Sequence, residues 1–186
     1  MTNAELAILS LVAERPRHGY QIEGVIEERG MRDWTEVGFS SIYYLLKKLE
    51  REGLVAGKLE RAERGLVRKV YRATPAGYKA LREAVLEALS VPQPCYSPLQ
   101  LGLANLPGIP VEEALDALRK YHQALVARLT YVHARWEPQK PLPYYVDAMF
   151  EHGVVIAKAE IKWVEQFIQQ VEDQNDIQDL KTQENK

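Results

Sequence analysis

Residues 40–53, reading SSIYYLLKKLEREG, constrain the fold of this chain more tightly than any other stretch. Ile42, Leu45, Leu46 and Leu49 recur at i, i+3, i+4 and i+7, which places them on one face of a helix. At about 100° per residue, Tyr43, Tyr44, Lys47, Lys48 and Arg51 gather on the other face. A helix of this kind packs on a protein by its apolar back and presents an aromatic, cationic front. That front suits a polyanion.

Charge along the chain supports the same reading, although the net charge of -2 conceals it. Residues 40–82 hold eleven Lys or Arg against four Asp or Glu, while residues 165–186 hold six acids against two lysines. A basic first half and an acidic end are therefore both expected. The single cysteine, Cys95, excludes an intrachain disulfide and points to a reducing, cytoplasmic setting. No apolar run approaches the length of a membrane span, and the first residues carry glutamates rather than a basic leader.

Hydrophobic periodicity predicts a first helix over residues 3–14, capped by Asn3 and stopped before Pro16. A second opens at His18-Gly19-Tyr20, places Tyr20, Ile22, Val25 and Ile26 on its apolar side, and ends at Gly30. The third is the helix already described, with Ser40 or Ser41 as its cap. Residues 54–60 and 66–73 then read as two strands joined by the charged turn Arg61-Ala-Glu-Arg64-Gly65, a β-hairpin. Thr74-Pro75 starts a fourth helix running to about Leu89. Five prolines between residues 91 and 110 mark a boundary, with a short helix from Ser97-Pro98 inside it. A long helix over 111–136 carries Val111, Leu115, Leu118, His122, Leu125, Leu129, Val132 and Trp136 in steps of four and three. A last helix is expected over 144–172, followed by a polar, fraying tail at 173–186.

The order helix, helix, helix, hairpin, helix predicts a winged helix-turn-helix over residues 1–90. Its third helix would enter the DNA major groove, which admits one helix. Lys47, Lys48 and Arg51 would meet phosphates or base edges, and Tyr43 and Tyr44 would offer hydroxyls and ring faces. Ser40 and Ser41 lie where a helix N-terminus favours phosphate. Arg61 and Arg64 at the wing tip, with Arg68 and Lys69 behind them, would follow the backbone. Tyr44 stands open between touching DNA and packing inward. His18 and Tyr20, just after a loop, are read as structural.

Three segments carry a family resemblance: His18-Gly19-Tyr20-Gln-Ile, residues 41–55, and residues 68–81 from Arg68 through Thr74-Pro-Ala-Gly77 to Leu81. Together they resemble the PadR family of bacterial transcriptional regulators. The resemblance implies a winged helix-turn-helix in which Tyr43 and Lys47 face DNA and the wing tracks the backbone. Members of that family usually have a small residue or proline where this chain has Tyr44. The run from Phe150-Glu-His-Gly153 to Ala159-Glu-Ile-Lys-Trp163-Val is similar to the C-terminal helical region of the longer members. It implies a homodimer, often a repressor, with small aromatic compounds or drugs as effectors of some members.

Pairing is also expected from the residues alone. The two long helices after residue 110 carry wide apolar faces with few other elements to cover them, and two-fold dimers are the commonest assembly. Residues 91–110 would then be a connector and residues 111–172 the dimerisation domain. Trp136, Met149, Phe150, Trp163 and Phe167 belong either to that core or to an effector pocket. His122 and Glu160 lie on facing seams, so His122 reads as a satisfied core histidine or, alternatively, as half of a buried pair with Glu160. The four histidines and one cysteine have no metal-ligand spacing, and no cofactor motif appears. No nucleophile–base pair, paired carboxylates or phosphate-cradling glycine loop stands at a suggestive spacing, so an enzyme is not expected. The rival class is a winged module that binds protein instead of specific double-stranded DNA.

Overall fold

The computed structural model describes residues 1–186 apart from 36, 39, 40, 62–66, 95, 185 and 186, and for 176–184 it gives the helical backbone alone. The chain divides into two compact units, Met1–Pro94 and Cys95–Lys186. In the first, α1 (Asn3–Glu14), β1 (Arg17–His18), α2 (Gly19–Glu28), α3 (Ser41–Arg51), β2 (Val55–Arg61), β3 (Val67–Ala73) and α4 (Pro75–Ser90) follow in order. The sheet order is β1-β3-β2, antiparallel throughout, with Val55 opposite Ala73 and Arg61 opposite Val67. This is the expected helix–helix–helix–hairpin–helix arrangement, and it adds one short strand.

The apolar back of α3 builds the core. Ile42, Leu46 and Leu49 are fully buried with Ile8, Leu9, Leu11 of α1 and Ile22, Ile26 of α2. Burying each such side chain is worth about 1.5–3 kcal/mol, so the amphipathic pattern of α3 is enough to fix which way it faces. The helix ends at Gly53, whose φ of 73° lies in the left-handed region, and Leu54 N–H closes the end on the Leu49 carbonyl at 2.9 Å.

Several local expectations are corrected. The cap of α1 is Thr2, not Asn3. Glu5 N–H donates to Thr2 Oγ1 at 3.2 Å, and the Glu5 carboxylate accepts Thr2 N–H at 2.8 Å, a reciprocal capping box. Tyr20 is 72% exposed rather than part of the apolar side of α2. Strand β1 is an element that the periodicity does not predict.

The second unit contains α5 (Pro98–Ala104), α6 (Val111–Trp136) and α7 (Tyr144–Glu184). Ala114, Leu115, Leu118 and Leu125 of α6 are buried, as are Val154 and Val164 of α7. Polar pairs run alongside: Arg119 to Glu172 at 2.6 Å, His122 to Glu165 at 2.8 Å, and Trp136 Nε1–H to Asp147 at 2.7 Å. Their opposed order along the two helices makes the hairpin antiparallel. The seam pair is therefore His122–Glu165, while Glu160 accepts the Tyr121 hydroxyl at 2.6 Å. Helix α7 passes position 172 and continues to Glu184, through sequence with no Gly or Pro to stop it.

Candidate nucleic-acid interface

The outward face of α3 is assembled by the burial of its other side. Tyr43 is 53% exposed and Tyr44 65% exposed. Tyr44 therefore does not pack into the core of its unit. Lys47 and Arg51 are exposed too, and neither has an ion pair or hydrogen bond among the described residues. At the start of the helix, Ser41 Oγ donates to the Gly38 carbonyl at 2.5 Å, so this hydroxyl fixes the approach of the chain. Ser40 lies outside the described residues.

Lys48 differs from its neighbour. Its ammonium donates to the Glu5 carboxylate and stands 3.9 Å from Glu52. Glu5 is buried, and the Lys48 hydrogen bond holds its carboxyl below the usual range against the opposing effect of burial. The same bond raises the Lys48 pKa. One carboxylate thus caps α1 and ties α3 to it.

The hairpin is tied to α3 in a similar way. Glu50 Oε2 accepts Lys69 Nζ at 2.7 Å, and Glu50 Oε1 accepts Gly57 N–H at 3.2 Å. Lys69 also lies 5.5 Å from the centre of the Tyr71 ring. The Glu50 hydrogen bond raises the Lys69 pKa and joins β3 to α3. Arg72 reaches across to Glu60 at 3.1 Å. Arg61 and Arg68 stay exposed on the hairpin. Arg64 and the rest of the turn lie outside the described residues.

Strand β1 adds an edge to the sheet beside β3 and leads into α2. Arg17 is buried; its guanidinium donates to the Leu11 carbonyl and to Glu14 at 2.9 Å. His18 pairs in register with Val70 and caps α2. Gly19 lies against a side chain of α3: a Cβ there would stand 2.5 Å from Tyr43 Cε1 and 2.9 Å from Cζ. Only a glycine leaves room for the ring where it is.

The sequence singled out Lys47, Arg51, Tyr43 and Tyr44, and the fold brings all four to one surface. It pairs Lys48 with Glu5 and Lys69 with Glu50. Glu5, Glu50 and His18 were missed as organisers of that surface. The spacing Thr2-x-x-Glu5 was a legible capping-box signal; Glu50 gave no signal, because its partners are known only once the hairpin is in register.

In the second unit, Trp136 stacks on Phe150 at 6.0 Å between ring centres and Trp163 on Phe167 at 5.2 Å. Met149 is 47% exposed and Trp163 41%. A cavity of about 210 Å³ lies between α6 and α7, lined by Leu125, Leu129, Val132, Ile156 and Glu160 among others, and none of the five residues singled out from the sequence lines it. Among the described residues no group of His, Cys, Asp or Glu could hold a metal ion, and no helix is long and apolar enough to cross a membrane.

Comparison with known proteins agrees with this geometry. Residues 8–83 match the transcriptional regulator PadR-like family. Over 78 residues the chain is 37% identical to the transcriptional regulator Rv3488 of Mycobacterium tuberculosis, spanning 42% of this chain and 68% of that protein. Among solved structures, Bacillus subtilis PadR in complex with operator DNA superposes with a TM-score of 0.73 at 21% identity, over 90% of this chain and 98% of that one. Bacillus subtilis PadR in complex with p-coumaric acid gives 0.76 at 19% identity, over 92% and 99%. At these identities the solved structures establish the fold: an N-terminal winged helix-turn-helix followed by a C-terminal helical region.

Proposed function

Because this chain belongs to the PadR-like family of transcriptional regulators, we propose that it binds double-stranded DNA sequence-specifically as a homodimer and acts as a repressor. The observation that carries the reading is the front of α3, where Tyr43, Tyr44, Lys47 and Arg51 stand exposed on a helix whose back is fully buried. Helix α3 lies in the major groove, Lys47 and Arg51 reach phosphates or base edges, and the two tyrosines add hydroxyl and ring contacts. Arg61 and Arg68, with Arg64 between them in sequence, extend the contact along the backbone, as does Ser40, which precedes Ser41 in sequence. Lys48 and Lys69 serve the interface by holding α3 and the hairpin in place.

The second half of the chain supplies the pairing. Residues 1–90 read DNA, residues 91–110 connect, and residues 111–172 dimerise. Met149, Val155, Ile156 and Trp163 on α7 are large, apolar and exposed, and a second copy covers them. Trp136, Phe150 and Phe167 back that surface. Control by a small aromatic compound is carried over from the p-coumaric acid complex of Bacillus subtilis PadR.

A salt titration tests the reading. Bound to duplex DNA, the protein should lose affinity steeply as salt rises, with a slope set by the number of phosphates neutralised. Light scattering should give twice the chain mass of 21.3 kDa without DNA. A salt-independent association, or a monomer at micromolar concentration, contradicts it.

A further inference from the structure

The ring of His18 is approached by hydrogen-bond donors on both sides. Nδ1 lies 3.2 Å from Gln21 N–H, and the Gln21 side-chain oxygen accepts His18 N–H at 3.1 Å, so the two residues cap α2 reciprocally. On the other side, Nε2 lies 3.1 Å from Nη1 of Arg68. A guanidinium can only donate, and a neutral imidazole has one donor and one acceptor. One of the two approaches is therefore not a hydrogen bond.

The cap decides which. The Gln21 N–H is a helix-terminal backbone donor that cannot turn away, whereas Arg68 is exposed and can reorient. Nδ1 accepts, and Nε2 carries the hydrogen. Two N–H donors then lie 3.1 Å apart. Among the described residues Arg68 makes no ion pair, and Glu60, its partner across the hairpin, accepts from Arg72 at 3.1 Å. Burial and the Arg68 charge both lower the His18 pKa, which keeps the ring in this neutral form.

The position of the pair is informative. His18 precedes Gly19, which abuts Tyr43 on α3, and Arg68 lies on β3 two residues from the partner of His18. The donors sit on the outer face of the sheet, opposite the face that Lys69 and Tyr71 turn toward α3, and beside the start of α2. We propose that His18 Nε2–H and the Arg68 guanidinium together form a seat for one oxygen of a DNA backbone phosphate, where the start of α2 meets the wing. An anionic oxygen accepts from both and relieves the opposition. This rests on the DNA-binding reading and gives His18, which its sequence context marked as structural, a direct contact.

The test compares wild type, His18→Asn, Arg68→Ala and the double variant on a duplex that the wild type retains from a random pool. Asparagine is among the best N-caps, so His18→Asn keeps the cap and removes only the Nε2 donor. Each single variant should bind about tenfold more weakly, as for loss of a hydrogen bond to a charged group, and the double variant should lose little more than Arg68→Ala alone. One methylphosphonate position in the duplex should weaken the wild type and leave His18→Asn unaffected, a result that a structural role would not give. Wild-type affinity in His18→Asn at an unchanged Tm overturns the seat while leaving DNA binding intact, as do losses that multiply in the double variant. Shifts of the His18 ring signals by inorganic phosphate but not by duplex would assign the pair to a free anion and also overturn it. A wild type that retains no duplex removes the regulator reading and the seat together.

Discussion

Gly19→Ala isolates the contribution of Tyr43. A Cβ on residue 19 would lie 2.5 Å from Tyr43 Cε1, whereas carbon atoms rest at about 3.5–4.0 Å, so the ring must move by roughly 1 Å. Tyr43 is 53% exposed, so it can swing outward at a cost of about 0.5–1.5 kcal/mol in side-chain strain. Alanine recovers up to about 1 kcal/mol over glycine in a helix, less at the first residue of α2. The net change in stability should stay within about 1 kcal/mol, equivalent to at most about 4–8 °C in the Tm of a unit this size. DNA binding should suffer more. A tyrosine hydroxyl bonded to phosphate contributes about 1.5–3 kcal/mol, so losing it should weaken binding by about tenfold or more per reading helix. Thermal melts and fluorescence anisotropy on the same preparation separate the two effects, with Tyr43→Phe as the variant that removes the hydroxyl alone. Wild-type affinity in both variants, at unchanged Tm, would place Tyr43 outside the interface.

Three further outcomes are expected. Lys47→Ala should leave the Tm unchanged while reducing the salt dependence of binding by about 0.9 in slope for each phosphate that Lys47 neutralises; Lys48→Ala should lower the Tm by stranding the buried Glu5 carboxylate, and denaturation curves of the pair measure this contrast. Acid should destabilise the fold in two windows. The His18 pKa is depressed by burial and then by Arg68, so the unfolded chain binds more protons, and its contribution, present above the ordinary value of 6.5, is lost as pH falls through the lower folded value. Glu5 and Glu14, held down by Lys48 and by Arg29 respectively, contribute stability above 4.5 that is lost below it; His18→Asn should abolish the first window and leave the second. In the helical region, the hydrogen bond to Glu160, aided by burial, pushes the Tyr121 phenol up to about 12. Glu160→Gln should bring one tyrosine ionisation back toward 10, read by ultraviolet difference titration.

The helices were legible because burial imposes periodicity. Ile42, Leu45, Leu46 and Leu49 announce both the existence of α3 and the face it hides, and the hairpin is announced by its charged, glycine-ended turn. A two-residue strand such as β1 has no period to detect; it forms because β3 offers it an edge. Lys47 and Lys48 are indistinguishable as letters, since what separates them is Glu5, which lies 43 residues away from Lys48 in sequence. Glu50 likewise depends on a hairpin register that no local rule supplies. At the other end, polarity after residue 172 resembles a helix end, yet polarity alone does not terminate a helix when no Gly or Pro follows. The interface front was thus readable from amphipathicity, while the residues that hold it in place were set by tertiary packing.

The most direct measurement is the recovery of duplexes bound by the full chain from a random pool, followed by sequencing. A homodimeric reader with α3 in the major groove should enrich an inverted repeat whose half-sites are centred about one helical turn apart, roughly 34–36 Å. Recovery of no common sequence, or of a single half-site without its inverted copy, would contradict it.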